Sequence, residues 1–101
     1  MINYELNTKY KIDYTNKFKR QVRKILSQGK NIDLLLEVIV KLANLEELDP
    51  KYRNHYLINS KSFKDCSECH IAPDWLLIYK YIDEKLVLLL YETGSHADLF
   101  D

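Results

Sequence analysis

A chain of 101 residues with 47% hydrophobic residues and eight tyrosines is expected to fold as one domain with one modest core, not to stay disordered. No apolar run nears the roughly 20 residues that span a bilayer. The start, MINYELNTKY, lacks a basic segment followed by an apolar stretch, so the expected home is the cytoplasm, with two free thiols rather than a disulfide. Net charge is zero, but residues 1–64 carry 13 Lys and Arg against 7 Asp and Glu, while residues 65–101 carry 2 against 8. Between Lys9 and Lys30 only Asp13 opposes eight basic residues. Such a run is a solvated helix face or an electrostatic footprint for phosphate or for an acidic partner.

In chain order, Tyr10, Ile12 and Tyr14 alternate with Lys11 and Asp13, the pattern of a short half-buried strand. Thr15 can cap a helix whose apolar line is Phe18, Val22, Ile25 and Leu26, with Gly29 as its stop. Lys17, Lys19, Arg20, Arg23 and Lys24 cover the rest of that helix. A second helix from about Asn31 carries Ile32, Leu35, Leu36, Ile39, Leu42 and Ala43 on one stripe and ends before Glu46. The short link between the two predicts an antiparallel helical hairpin. Beyond Pro50 the period becomes 2: Tyr56–Asn59 and about Lys64–Ile71 read as extended, and Trp75–Ile82 and Lys85–Tyr91 as a buried β-hairpin across Asp83-Glu84. Thr93-Gly94 should break the last strand, and Ser95 can cap a final turn holding His96, Leu99 and Phe100. The fold class is α+β: the N-terminal strand and two-helix hairpin packed on one face of a small antiparallel sheet, with a short C-terminal helical turn. The other face is then open to a ligand.

The segment DCSECHIAPDW contains Cys-x-x-Cys-His, the spacing of a c-type haem site. That chemistry needs export and commonly a methionine ligand, and the sole methionine is Met1. A redox pair would open a helix, whereas Cys69 leads into the extended His70-Ile71-Ala72-Pro73. A zinc set of Cys66, Cys69 and His70 with His55 or His96 lacks the second paired unit of structural zinc sites. The simplest reading makes Cys69 a small core residue on a strand. Three histidines and one aspartate are placed more suggestively. His55 opens the β region, His70 and Asp74 flank the Pro73 bend, and His96 follows the Ser95 cap. Convergence of the four at one rim of the open face would suit acid–base chemistry without metal or cofactor. RNA cleavage is such a reaction, because the ribose 2′-hydroxyl is the nucleophile and the protein need only move protons and stabilise charge.

CHIAPDWLLIY at Cys69–Tyr79 and TGSHADLF at Thr93–Phe100, with YKIDYTNKFKRQVRK from Tyr10 and LDPKYRNHYL at Leu48–Leu57, resemble the YafQ branch of the RelE/ParE toxin superfamily. The resemblance covers residues 10–101 as one domain and leaves residues 1–9 as an N-terminal extension. It implies a RelE-like fold and the toxin of a type II toxin–antitoxin pair: a ribosome-dependent endoribonuclease that cuts mRNA in the A site and is silenced by its antitoxin. ParE-type relatives offer the alternative, a non-catalytic toxin that binds a protein such as DNA gyrase. Carried over by position, the resemblance implies catalytic roles for His55, His70, Asp74 and His96, active-site aromatics at Trp75 and Phe100, and no metal. His96 would be the general acid for the leaving 5′-oxygen, Asp74 or His55 would take the 2′-hydroxyl proton, and His70 would contact or orient phosphate. Trp75 would pack at the site or stack on a base, or serve equally as a core aromatic, and Phe100 would fix the terminal turn. Where the family usually has an arginine this chain has Glu92, and an aromatic-basic pair is replaced by Cys66-Ser67. Lys61, Lys64 or Arg53 would then supply positive charge, and Glu92→Arg would raise cleavage. A negative neighbour for His96 is expected from Asp74, Asp98 or Glu92. The basic helix would face ribosomal RNA or, alternatively, the antitoxin.

Overall fold

The structure is a computed structural model that describes residues 7–100. Most of the expected 1–9 extension therefore lies outside the described residues. The central feature is a five-stranded sheet in the order β1-β5-β4-β3-β2, formed by Lys11–Tyr14 (β1), His55–Tyr56 (β2), Ser67–Ala72 (β3), Trp75–Ile82 (β4) and Val87–Gly94 (β5). Helices α1 (Asn16–Ser27) and α2 (Ile32–Ala43) cover one face, and a five-residue helix, α3 (His96–Phe100), follows β5.

Local chemistry accounts for the helix limits. Thr15 accepts from the Phe18 amide at 3.0 Å at the start of α1, and Asn31 accepts from the Asp33 amide at 3.0 Å at the start of α2. Between them Gly29 adopts φ +76°, a left-handed conformation that costs glycine little. Phe18, Val22 and Ile25 of α1 and Leu35, Val38, Ile39, Leu42 and Ala43 of α2 are buried against Cys69, Ile71, Trp75, Leu77, Tyr79, Leu88 and Leu90 of the sheet. Each large apolar side chain fully buried there stabilises the fold by about 1.5–3 kcal/mol. Leu26 does not join this core and is 45% exposed. It lies about 100° round the helix from Ile25, off the line that meets the sheet.

The pairing from β2 through β5 is antiparallel, as expected, whereas β1 joins β5 in parallel, Lys11 opposite Val87 through Tyr14 opposite Leu90. A parallel edge needs a long connection back to the sheet, and α1, α2 and the intervening chain provide it. The expected strand at Tyr56–Asn59 shrinks to His55–Tyr56, because Asn59 turns with φ +58°. Asp83–Lys85 forms a 3-10 turn, so β5 starts at Val87 instead of Lys85, and it continues through Thr93-Gly94 instead of ending there. Pairing with Leu76 and Leu77 holds that end of the strand. In β5 the register shifts so that Ile78 faces Glu92 and Tyr79 faces Leu90, leaving Tyr91 as a bulge.

Candidate active site

Alternation along β3 decides what each side of the sheet presents. Cys69 and Ile71 enter the helix-side core, so Glu68 and His70 project from the opposite, open face. Pairing of His55 with Glu68 brings β2 beside this strand. Glu68 is 6% exposed, and its carboxylate lies 3.4 Å from His70 Nε2 and 3.7 Å from His55 Nε2. His55 is turned by its other nitrogen, since Nδ1 is 2.7 Å from the Arg53 carbonyl and must donate to it. Arg53 itself takes a left-handed conformation, φ +49°, which aims that carbonyl.

The next link comes from the chain end. The His70 and His96 rings meet edge to face with centroids 5.7 Å apart. Asp74, in the bend between β3 and β4, accepts from both the backbone amide and the ring Nδ1 of His96, each at 3.1 Å. These bonds, the amide first, hold the Asp74 carboxyl below the usual carboxylate range, with the Lys30 charge helping. The Nδ1 contact leaves His96 Nε2 as the nitrogen facing outward. The four expected residues thus form one band, running His55, Glu68, His70, His96 and Asp74. Glu68 was missed by sequence reasoning. Its signal was its place two residues before His70 on a strand, which puts both on one face.

The remaining expected residues divide. Trp75 is 2% exposed and belongs to the helix-side core, its indole N–H donating to Thr93 Oγ1 at 3.0 Å. Of its expected roles, that of a core aromatic is the one this burial matches. Phe100 lies edge to face on Phe63 at 5.4 Å and 6.2 Å from the His96 ring, so it braces α3. Glu92, 7% exposed, does not reach His96: Lys17 Nζ is 3.3 Å and Gln21 Nε2 3.1 Å from its carboxylate. Gln21 also accepts from the Thr93 amide at 2.9 Å, so this cluster ties α1 to the bulged strand. Asp98 is taken by Lys24 at 3.1 Å, and of the three expected neighbours of His96 only Asp74 touches it. On α1, Lys17 and Lys24 are therefore engaged within the domain, whereas Lys19, Arg20 and Arg23 are exposed and form no ion pair with another described residue. The same holds for the exposed Lys61, Lys64 and Arg53.

The Cys-x-x-Cys-His spacing dissolves in three dimensions. Cys69 sits in the helix-side core and Cys66 in a smaller cluster with Phe63 and Ile78 on the other face. Burial pushes the Cys69 thiol up to about 12. Among the described residues no three His, Cys, Asp or Glu side chains are arranged to hold a metal ion.

An α+β domain whose open face gathers histidines and acids is matched by toxins. The family model described as bacterial toxin of type II toxin–antitoxin system, YafQ, matches residues 10–101. The mRNA interferase toxin YafQ of Escherichia coli B/BL21-DE3 is 35% identical over 91 residues, covering 88% of this chain and 94% of that one. Among solved structures, a metal-bound toxin from Helicobacter pylori aligns with TM-score 0.81 and 36% identity over 88% of this chain and 97% of that one. YafQ in the E. coli DinJ–YafQ toxin–antitoxin complex aligns with TM-score 0.81 and 31% identity over 92% and 99%. The chain belongs to the YafQ family of type II toxins.

Proposed function

We propose that the protein is an endoribonuclease toxin that cleaves mRNA on the ribosome, in the cytoplasm, and is restrained by a cognate antitoxin. The observation that carries this reading is the order of the band, with His55 and His96 as its outer histidines, His70 between them, and an acid beside each. In-line cleavage needs that order: a base at the attacking oxygen, an acid at the leaving oxygen and a contact on the phosphate between. His55 Nε2 takes the proton of the 2′-hydroxyl, and the 2′-oxygen attacks phosphorus. His70 faces the phosphate. His96 Nε2 gives its proton to the departing 5′-oxygen. The products are a 2′,3′-cyclic phosphate and a 5′-hydroxyl, so bonds and protons balance. Glu68 offsets the charge gained by His55, and Asp74 holds His96 in orientation. Asp74, already engaged twice by His96 and held at low pKa, is the weaker of the two candidate bases.

Lys19, Arg20 and Arg23 supply the cations for ribosomal RNA phosphates. The test is ribosome-dependent cleavage by purified protein alongside growth arrest on expression. His96→Ala is expected to lower cleavage by about 10²–10⁴-fold and abolish arrest. Glu68→Gln should lower cleavage less, because it removes an orienting charge and no transferred proton. Full toxicity of His96→Ala would replace this reading with the protein-binding one.

A further inference from the structure

A cavity of about 660 Å³ opens beside the band, between the second half of α1, the β3–β4 bend and the start of α3. Its size falls within the roughly 300–1,000 Å³ of small-molecule sites. Asp74 belongs to both places, since its Oδ1 holds His96 and its side chain walls the cavity. Most polar groups around the cavity are committed: Gln21 to Glu92 and Thr93, and Lys24 to Asp98. Two are not. Among the described residues the Gln28 carboxamide has no hydrogen-bond partner and Lys30 forms no ion pair. The Lys30 ammonium instead stands 6.0 Å from the centroid of the Trp75 ring.

Those two groups fit what must leave the site. The 5′-oxygen protonated by His96 belongs to the nucleotide on the 3′ side of the cleaved bond, so that nucleotide departs past His96 and Asp74, where the cavity lies. We propose that the cavity receives this 3′ nucleotide, with Gln28 reading the edge of its base and Lys30 holding its 3′ phosphate. A carboxamide both donates and accepts, which lets it discriminate base edges, whereas an ammonium contacts phosphate without regard to sequence. The inference rests on the mRNA-cleaving reading and gives that site a specificity pocket.

The experiment titrates the purified chain with the four nucleoside 3′-monophosphates, following fluorescence of the single tryptophan and the backbone amide shifts of Gln28 and Lys30. Saturable binding with unequal affinity for the four bases is expected. Lys30→Ala should weaken all four by about tenfold, the loss of one phosphate contact. Gln28→Ala should instead flatten the differences among bases, and in ribosomal cleavage should broaden the nucleotide tolerated 3′ of the cut. The idea is overturned by absence of saturable binding at millimolar nucleotide or by base preference unchanged in Gln28→Ala. It is equally overturned if antitoxin perturbs these residues and nucleotides do not. Because binding requires no cleavage, the nucleotide titration reads the pocket and the ribosomal assay reads the nuclease, so failure of one is distinguishable from failure of the other.

Discussion

The two faces of the sheet differ in what controls their chemistry. Against the helices, burial dominates: Cys69 is pushed up to about 12, and the Tyr81 hydroxyl, which donates to the Leu42 carbonyl, is also pushed up to about 12. At the open rim, hydrogen bonding dominates, and Asp74 moves down. One strand serves both regimes, since Cys69 and Ile71 alternate with Glu68 and His70. Stability and activity should therefore separate by face. Phe18, fully buried under α1, gives the largest expected effect. Phe18→Ala should cost about 3–5 kcal/mol in denaturant unfolding. His70→Ala, on the opposite face and half-buried beside Glu68 and His96, should cost less, about 1 kcal/mol. Equal losses from the two would erase the distinction.

Glu92 is where the two faces meet, and it offers a smaller and sharper trial. The sequence suggested that arginine here would restore a phosphate contact. In the structure the carboxylate is nearly buried and answers Lys17 and Gln21. An arginine would face Lys17, strip Gln21 of its acceptor and loosen the tie to Thr93. Glu92→Arg is expected to lose about 1–3 kcal/mol of stability, the cost of leaving buried polar groups unpaired. Cleavage should fall with it. Thermal unfolding and cleavage assays on one preparation check this, and a stable, faster variant would return Glu92 to the phosphate.

What could be read in the sequence was mostly local. The Thr15 cap, the Phe18-Val22-Ile25 line and the β4–β5 hairpin depend on neighbours within a few positions, so spacing exposes them. The parallel docking of β1 on β5 joins residues 76 positions apart, and no periodicity encodes it. The resemblance supplied the histidines and Asp74, whose spacing alone left convergence open. Glu68 stayed hidden because its partner His55 is set opposite it only by the register of a two-residue strand. The fate of Glu92 was equally illegible, being decided by a bulge and by a helix some 70 residues earlier.

The smallest expected effect concerns the rim itself. Asp74 is depressed first by the His96 amide and then by its ring, whereas Asp98 is depressed first by Lys24 and then by the Ser95 amide. A carboxyl whose folded value lies below the unfolded one, about 3.9, stabilises the fold above that pH and loses its contribution as pH falls through the folded value. Both groups are exposed, so solvent screens the energy and the titration itself is the sensitive readout. Carboxyl carbon NMR should find both aspartates titrating below the ordinary range. His96→Ala removes the ring and keeps the amide, so Asp74 should move only part of the way back while Asp98 stays. Lys24→Ala should do the reverse. If Asp74 titrated at the ordinary value in the wild type, or ignored the loss of the His96 ring, then His96 would lack the carboxylate that orients it, and the acid end of the band would lose its physical basis.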